Sequence, residues 1–225
     1  MGSWWSDDRG LSVLLGSLVA IIFFLPPFQG RPDANLLVQL FFTLVFAAGL
    51  SSETRSRTAR LVGALVFAVA VVLHWVDYFA PGAGLAVWVS LARMLAVAVL
   101  VVLVVRHVFR EGPITVQRIQ GAVAVYLLLG VLWQCLYEMI NALSPAAFRF
   151  AETPHTPAEV STSLAYYSFV TLTTMGYGDI TPVHPAARSA AILEALVGQL
   201  FPAILIARLV AMELTARENR SASDR

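Results

Sequence analysis

Between Thr173 and Asp179 the chain reads TTMGYGD, with glycine alternating with larger residues. Glycine tolerates positive φ, so an extended strand of this kind can turn successive carbonyls the same way. A row of aligned carbonyls can replace the water around a dehydrated cation. The candidates for that chemistry are the carbonyls of Thr174, Met175, Gly176 and Tyr177, with the Thr174 hydroxyl beside them. Gly178 supplies backbone freedom at the mouth, and Asp179 a local negative charge. Gly-Tyr-Gly alone is common in loops. Here it follows a short helix-like segment and lies between two membrane-length apolar stretches.

In that setting the residues resemble the potassium-channel pore family, whose filter loops read TVGYG. The likeness is strongest from about Gly121 to Met212 and most specific over Thr171–Asp179. It implies potassium as the permeant ligand at Thr174, Met175, Gly176 and Tyr177, and no cofactor. It also implies a half-length pore helix over Leu164–Thr173, whose C-terminal partial negative charge favours a cation. Thr173, Tyr166, Tyr167, Val170 and Asp179 then support the filter. Tyr166 and Tyr167 fall where related pores place an aromatic pair that braces the filter tyrosine, here Tyr177. Val170 fills a position where some relatives carry a glutamate that pairs with the filter aspartate, so that partnership is missing. Met175 stands where valine is usual. Its longer, more flexible side chain loosens the packing behind the filter, so potassium over sodium selectivity is expected, but less strict.

The elements that must position these residues are apolar. Of the 225 residues 58% are hydrophobic, and mean hydropathy is +0.75, values of a polytopic membrane protein. The expected spans are about Leu11–Phe28, Asn35–Leu50, Ala59–Phe79, Leu85–Val105, Gly121–Ile140 and Ala187–Met212. Trp4 and Trp5 suit an interface belt ahead of the first. Pro26-Pro27 ends that span, and Gln29–Ala34 turns into the second. The expected fold class is therefore an all-α membrane protein of six transmembrane helices, with a re-entrant pore helix and filter between the last two. Residues 1–118 form a four-helix region resembling a degenerate voltage-sensor-like domain, 119–213 the pore domain, and 214–225 a short cytoplasmic tail. One chain supplies one pore loop, so a filter built from four strands requires a homotetramer.

Arginine placement gives the orientation. Arg9, Arg55, Arg57, Arg60, Arg106, Arg110, Arg118, Arg208, Arg217, Arg220 and Arg225 fall inside if both ends are cytoplasmic. Arg31, Arg149 and Arg188 fall outside, the bias of the positive-inside rule. Asp179 then lies at the outer mouth. The expected location is the plasma membrane; arginine without lysine, with abundant alanine and valine, hints at a GC-rich prokaryote and a bacterial inner membrane. The expected partners are further copies of the chain, membrane lipids and potassium ions. A net charge of +1 with scattered arginines shows no nucleic-acid face.

The fourth span holds only Arg93. One charge gathers about 2.3 kcal/mol per 100 mV even if it crosses the whole field, too little for steep gating. Asp77, near the end of the third span, is the acidic candidate for a charge pair with Arg93; a headgroup position is its alternative. In the last span Gly198 and Pro202 fit a gate hinge, or equally a close helix contact with a fixed bend. Glu194 in the same span is expected to pair behind the pore helix. No catalytic motif of hydrolase, metalloprotease or phosphate-binding type is present, so no enzyme is expected. A less selective monovalent cation channel and a non-conducting membrane scaffold subunit are the alternatives.

Overall fold

A computed structural model describes residues 9–24, 57–79, 84–109 and 115–223. Helix α1 (Arg9–Val19) ends in one π-helical turn, Ala20–Phe24. Helices α2 (Arg57–Phe79), α3 (Ala86–Val108) and α4 (Val116–Leu143) follow. Strand β1 (Phe148–Phe150), helix α5 (Pro157–Leu172), strand β2 (Ile180–Pro182) and helix α6 (Pro185–Ser223) complete the chain. Among the described residues, Ala86–Arg106, Val116–Leu143 and Pro185–Arg208 are long and apolar enough to cross a membrane. Leu11–Phe24 and Gly63–Leu73 are shorter apolar helices. This is a mostly helical membrane protein. The span expected at Asn35–Leu50, the turn after Pro26-Pro27, Trp4 and Trp5 lie outside the described residues, as do the side chains of His74 and Asp77.

Helix α4 is the hub. Thr115 caps its start by accepting from the Arg118 amide at 3.3 Å, and the Ser144 amide closes its end on the Ile140 carbonyl. On α3 the buried residues Ala92, Ala96, Val97, Leu100, Val104 and Val108 lie on one side of the helix and join α4 in one apolar cluster. Trp88, Leu95 and Val102 on the other side are exposed. Small residues allow the close approach. At Gly121, where α1, α3 and α4 meet, a Cβ would come within 2.8 Å of Val108 and 3.0 Å of Leu11. The cluster runs from Leu11 on α1 through α3 to Val131 on α4, and Phe169, Phe201 and Leu205 pack against it. The N-terminal helices thus share one core with α4, α5 and α6.

Three expectations need correction. The fold is not wholly helical, because β1 and β2 pair antiparallel with Phe148 opposite Pro182, Arg149 opposite Thr181 and Phe150 opposite Ile180. The pore helix begins at Pro157 rather than near Leu164. Thr156 caps it by accepting from the Glu159 amide, and the Glu159 carboxylate accepts from the His155 amide at 2.8 Å. This is a T-x-x-E capping signature with proline at the first helical position. Finally, the last helix does not end at Met212: α6 runs on to Ser223, so the residues expected as a short tail are helical as far as the described residues go. No glycine or proline follows Pro202, so nothing in the backbone breaks the helix.

Candidate functional site

The site is the strand that leaves the C-terminal end of α5. A helix end has four carbonyls without intrahelical partners, and here each is taken. The Phe169 carbonyl accepts from the Thr173 amide and hydroxyl, and the Thr171 carbonyl from the Thr174 amide at 2.9 Å. The Leu172 carbonyl accepts from the Tyr126 hydroxyl of α4 at 3.2 Å. The Val170 carbonyl accepts from the Met175 amide at 2.9 Å and the Gly176 amide at 3.4 Å. Val170 therefore supports the strand through its backbone. The valine side chain has no hydrogen-bonding group, so it makes no bond to Asp179.

With its amides turned back onto the helix, the strand is left with its carbonyls. Among the described residues no backbone amide donates to the carbonyls of Thr174, Met175, Gly176 or Tyr177. The backbone is left-handed at every second residue, with φ of 59° at Thr174, 58° at Gly176 and 81° at Gly178. Glycine accepts this freely; for the β-branched Thr174 it costs about 1–3 kcal/mol. Alternation of this kind brings successive carbonyls to one side. Such a row suits a dehydrated monovalent cation better than a divalent metal, which takes carboxylate oxygens. Among the described residues no cluster of histidine, cysteine or carboxylates could hold a metal.

The outer end of the strand is tied down by a device that the sequence concealed. The Asp179 carbonyl accepts from the Ala151 amide at 2.9 Å, immediately beyond the β1–β2 pairing. Past β2 the amides of Val183 and His184 donate to the Ala147 carbonyl. His184 then starts α6, its Nδ1 accepting from the Ala186 amide at 3.2 Å. Two three-residue strands give little hydrophobic alternation, so only their pairing reveals them.

The two tyrosines separate. Tyr166 is exposed and interacts with the Asp179 carboxylate and with Tyr177 at the mouth. Tyr167 is buried, edge-on to Tyr137 at 5.0 Å and to Phe148 at 5.4 Å. Within one chain it therefore braces the packing behind α5 rather than Tyr177. The Tyr177 hydroxyl itself lies 3.7 Å from the Met175 sulfur, and both side chains are well exposed, at 63% and 59%.

Behind α5, Glu194 of α6 is fully buried. It accepts from the Tyr137 hydroxyl of α4 at 2.5 Å and the Ser168 hydroxyl of α5 at 2.6 Å, joining three helices in the position expected of it. Gly198 lies against the Leu172 carbonyl, and a Cβ there would collide with it. The close-contact role is thus present in the geometry. Pro202 sits inside the continuous α6, one residue beyond Phe201, which stacks on Tyr126 at 6.1 Å. Arg93 pairs with Glu138 of α4, a residue the sequence did not single out. The signal was available, since Glu138 is the one acidic residue of α4.

The sequence model of the ion channel family matches residues 121–214. Two pore potassium channel c of Oryza sativa subsp. japonica is 37% identical over 94 residues, 42% of this chain and 18% of that protein. Protein LctB of Bacillus caldotenax is 34% identical over 89 residues, 38% of this chain and 64% of that protein. The chain therefore spans less than two thirds of either relative.

Proposed function

We propose, for a chain whose residues 121–214 match the ion channel family and resemble part of a potassium channel, passive and potassium-selective conduction across a membrane. Channels are not enzymes, and the reading needs no cofactor. The observation that carries it is the strand 174–178, whose carbonyls take no backbone hydrogen bond within the described residues while left-handed φ recurs at alternate positions. In this reading the Thr174 hydroxyl and the carbonyls of Thr174, Met175, Gly176 and Tyr177 replace the hydration shell of potassium. Asp179 concentrates cations at the outer mouth, and Gly198 and Pro202 act as the hinge of the inner helix α6. One chain contributes one strand, so the conducting unit is a homotetramer in which the exposed Met175 and Tyr177 meet neighbouring copies.

The chain crosses the membrane six times, with residues 1–118 as a four-helix region ahead of the pore and both ends cytoplasmic, in a bacterial inner membrane. Voltage dependence is weak or absent. Removing one partner of a buried ion pair costs about 3–5 kcal/mol, whereas one charge crossing 100 mV gathers about 2.3 kcal/mol. The Arg93–Glu138 pair therefore holds against ordinary potentials.

The test is flux from liposomes containing only this protein, with potassium inside, sodium outside and barium as blocker. Barium-sensitive flux that follows the potassium gradient is expected. Equal flux of both ions favours the less selective cation channel, a reading supported by methionine at position 175 and its contact with Tyr177. Absence of flux at every voltage and pH favours a membrane scaffold.

A further inference from the structure

The charged and polar side chains between α3 and α5 form a continuous chain that conduction by itself does not require. Arg93 is the charged residue within the apolar run of α3, and its Nη2 meets the Glu138 carboxylate of α4. The other oxygen of Glu138 accepts from the Ser161 hydroxyl of α5 at 2.6 Å and from the Gln134 amide at 3.0 Å. The same Gln134 nitrogen lies 3.2 Å from the Ser161 hydroxyl and 3.4 Å from its carbonyl. Both charged side chains are largely buried, 15% and 9% exposed. A carboxylate in such a place needs a counter-charge, and Arg93 provides it. The contact is made through Nη2 alone, and Nε is buried without a hydrogen-bond partner among the described residues, so the link to Glu138 is a single charged bond.

At its other end α3 is held again. The Arg208 guanidinium of α6 stacks over the ring of Phe109, one residue past α3, at 4.6 Å from its centroid. A helix clasped at both ends by the pore helices of its own chain is placed as a strut. Its force falls on Ser161, in the second turn of α5. The far end of α5 carries the Val170 carbonyl that receives the Met175 and Gly176 amides. A change in the tilt of α5 therefore moves the origin of the filter strand.

We infer that Arg93, Glu138 and Ser161 form a fixed latch through which α3 positions the pore helix, making Arg93 a positioning residue for the filter rather than a voltage-sensing charge. The inference rests on the channel reading, and its test has an arm independent of conduction. The full chain in lipid nanodiscs is compared as wild type, Arg93→Gln, Ser161→Ala and the double variant. Amide exchange over residues 170–178 and, in liposomes, the potassium-to-sodium flux ratio are measured. Each single variant should raise exchange several-fold and lower the ratio, and the double variant should add little, because both break one chain of contacts. Ser161→Ala is the discriminating variant, since it leaves the ion pair intact and a pair that merely packs helices predicts no change. It also carries the test if Arg93→Gln fails to assemble. Wild-type exchange in Ser161→Ala, or additive effects in the double variant, would overturn the latch. If the wild type passes neither ion, the channel reading fails while the exchange arm still decides the latch.

Discussion

At the residue scale the informative side chains are those that pack behind α5 and the strand 174–178 that leaves it. Glu194 serves two hydroxyls from two helices, so its removal leaves both Tyr137 and Ser168 without that acceptor. A buried group left unsatisfied costs about 1–3 kcal/mol. Glu194→Ala should therefore lower the thermal midpoint of the detergent-solubilised protein by several degrees, and Glu194→Gln, which keeps one acceptor oxygen and the volume, by less. Equal midpoints for the two variants would remove Glu194 from the bracing role. Met175 was legible from sequence as a departure, but its contact with the Tyr177 hydroxyl was not, because it depends on how the strand turns.

At the element scale α5 and the β1–β2 pair set the strand 174–178 between two anchors. The Ala151 amide is the last donor of the outer anchor. Ala151→Pro deletes that amide, worth about 1 kcal/mol as a neutral hydrogen bond, and should make liposome potassium flux decay with time. Ala151→Gly keeps the donor and should conduct steadily; decay in both would place the fault elsewhere. At the start of α5 the His155 amide holds the Glu159 carboxyl below its ordinary value. A lowered value means that the bond's contribution is complete above the ordinary carboxylate pKa and fades as pH falls through the lowered one. Protection of the Val160 amide should therefore weaken as pH falls below the ordinary glutamate value of about 4.3. Glu159→Gln should remove that dependence. The cap was readable in the sequence T-P-A-E, whose proline lies seven residues ahead of the expected helix start at Leu164. The strands were not readable, since three residues carry too little pattern.

At the scale of the whole molecule, α1 and α3 pack on α4 in one core that Phe169 of α5 and Phe201 and Leu205 of α6 also join. Such a body resists displacement of a single helix. Conductance–voltage curves in planar bilayers should therefore stay flat across physiological potentials, and Arg93→Gln should alter selectivity without introducing or removing voltage dependence. A steep curve that Arg93→Gln abolishes would restore the sensor role to α3.

The local order of residues by itself determined the membrane class, the left-handed strand at 174–178 and the buried polar residue behind α5. Each rests on short-range chemistry: apolar runs need lipid or protein around them, and glycine alternation permits left-handed backbone. Tertiary structure alone decided the partners. Arg93 lies 45 positions from Glu138, and Glu194 lies 57 from Tyr137 and 26 from Ser168. Which acid meets which base across helices follows from helix rotation and packing distance, and no periodicity within one helix contains either.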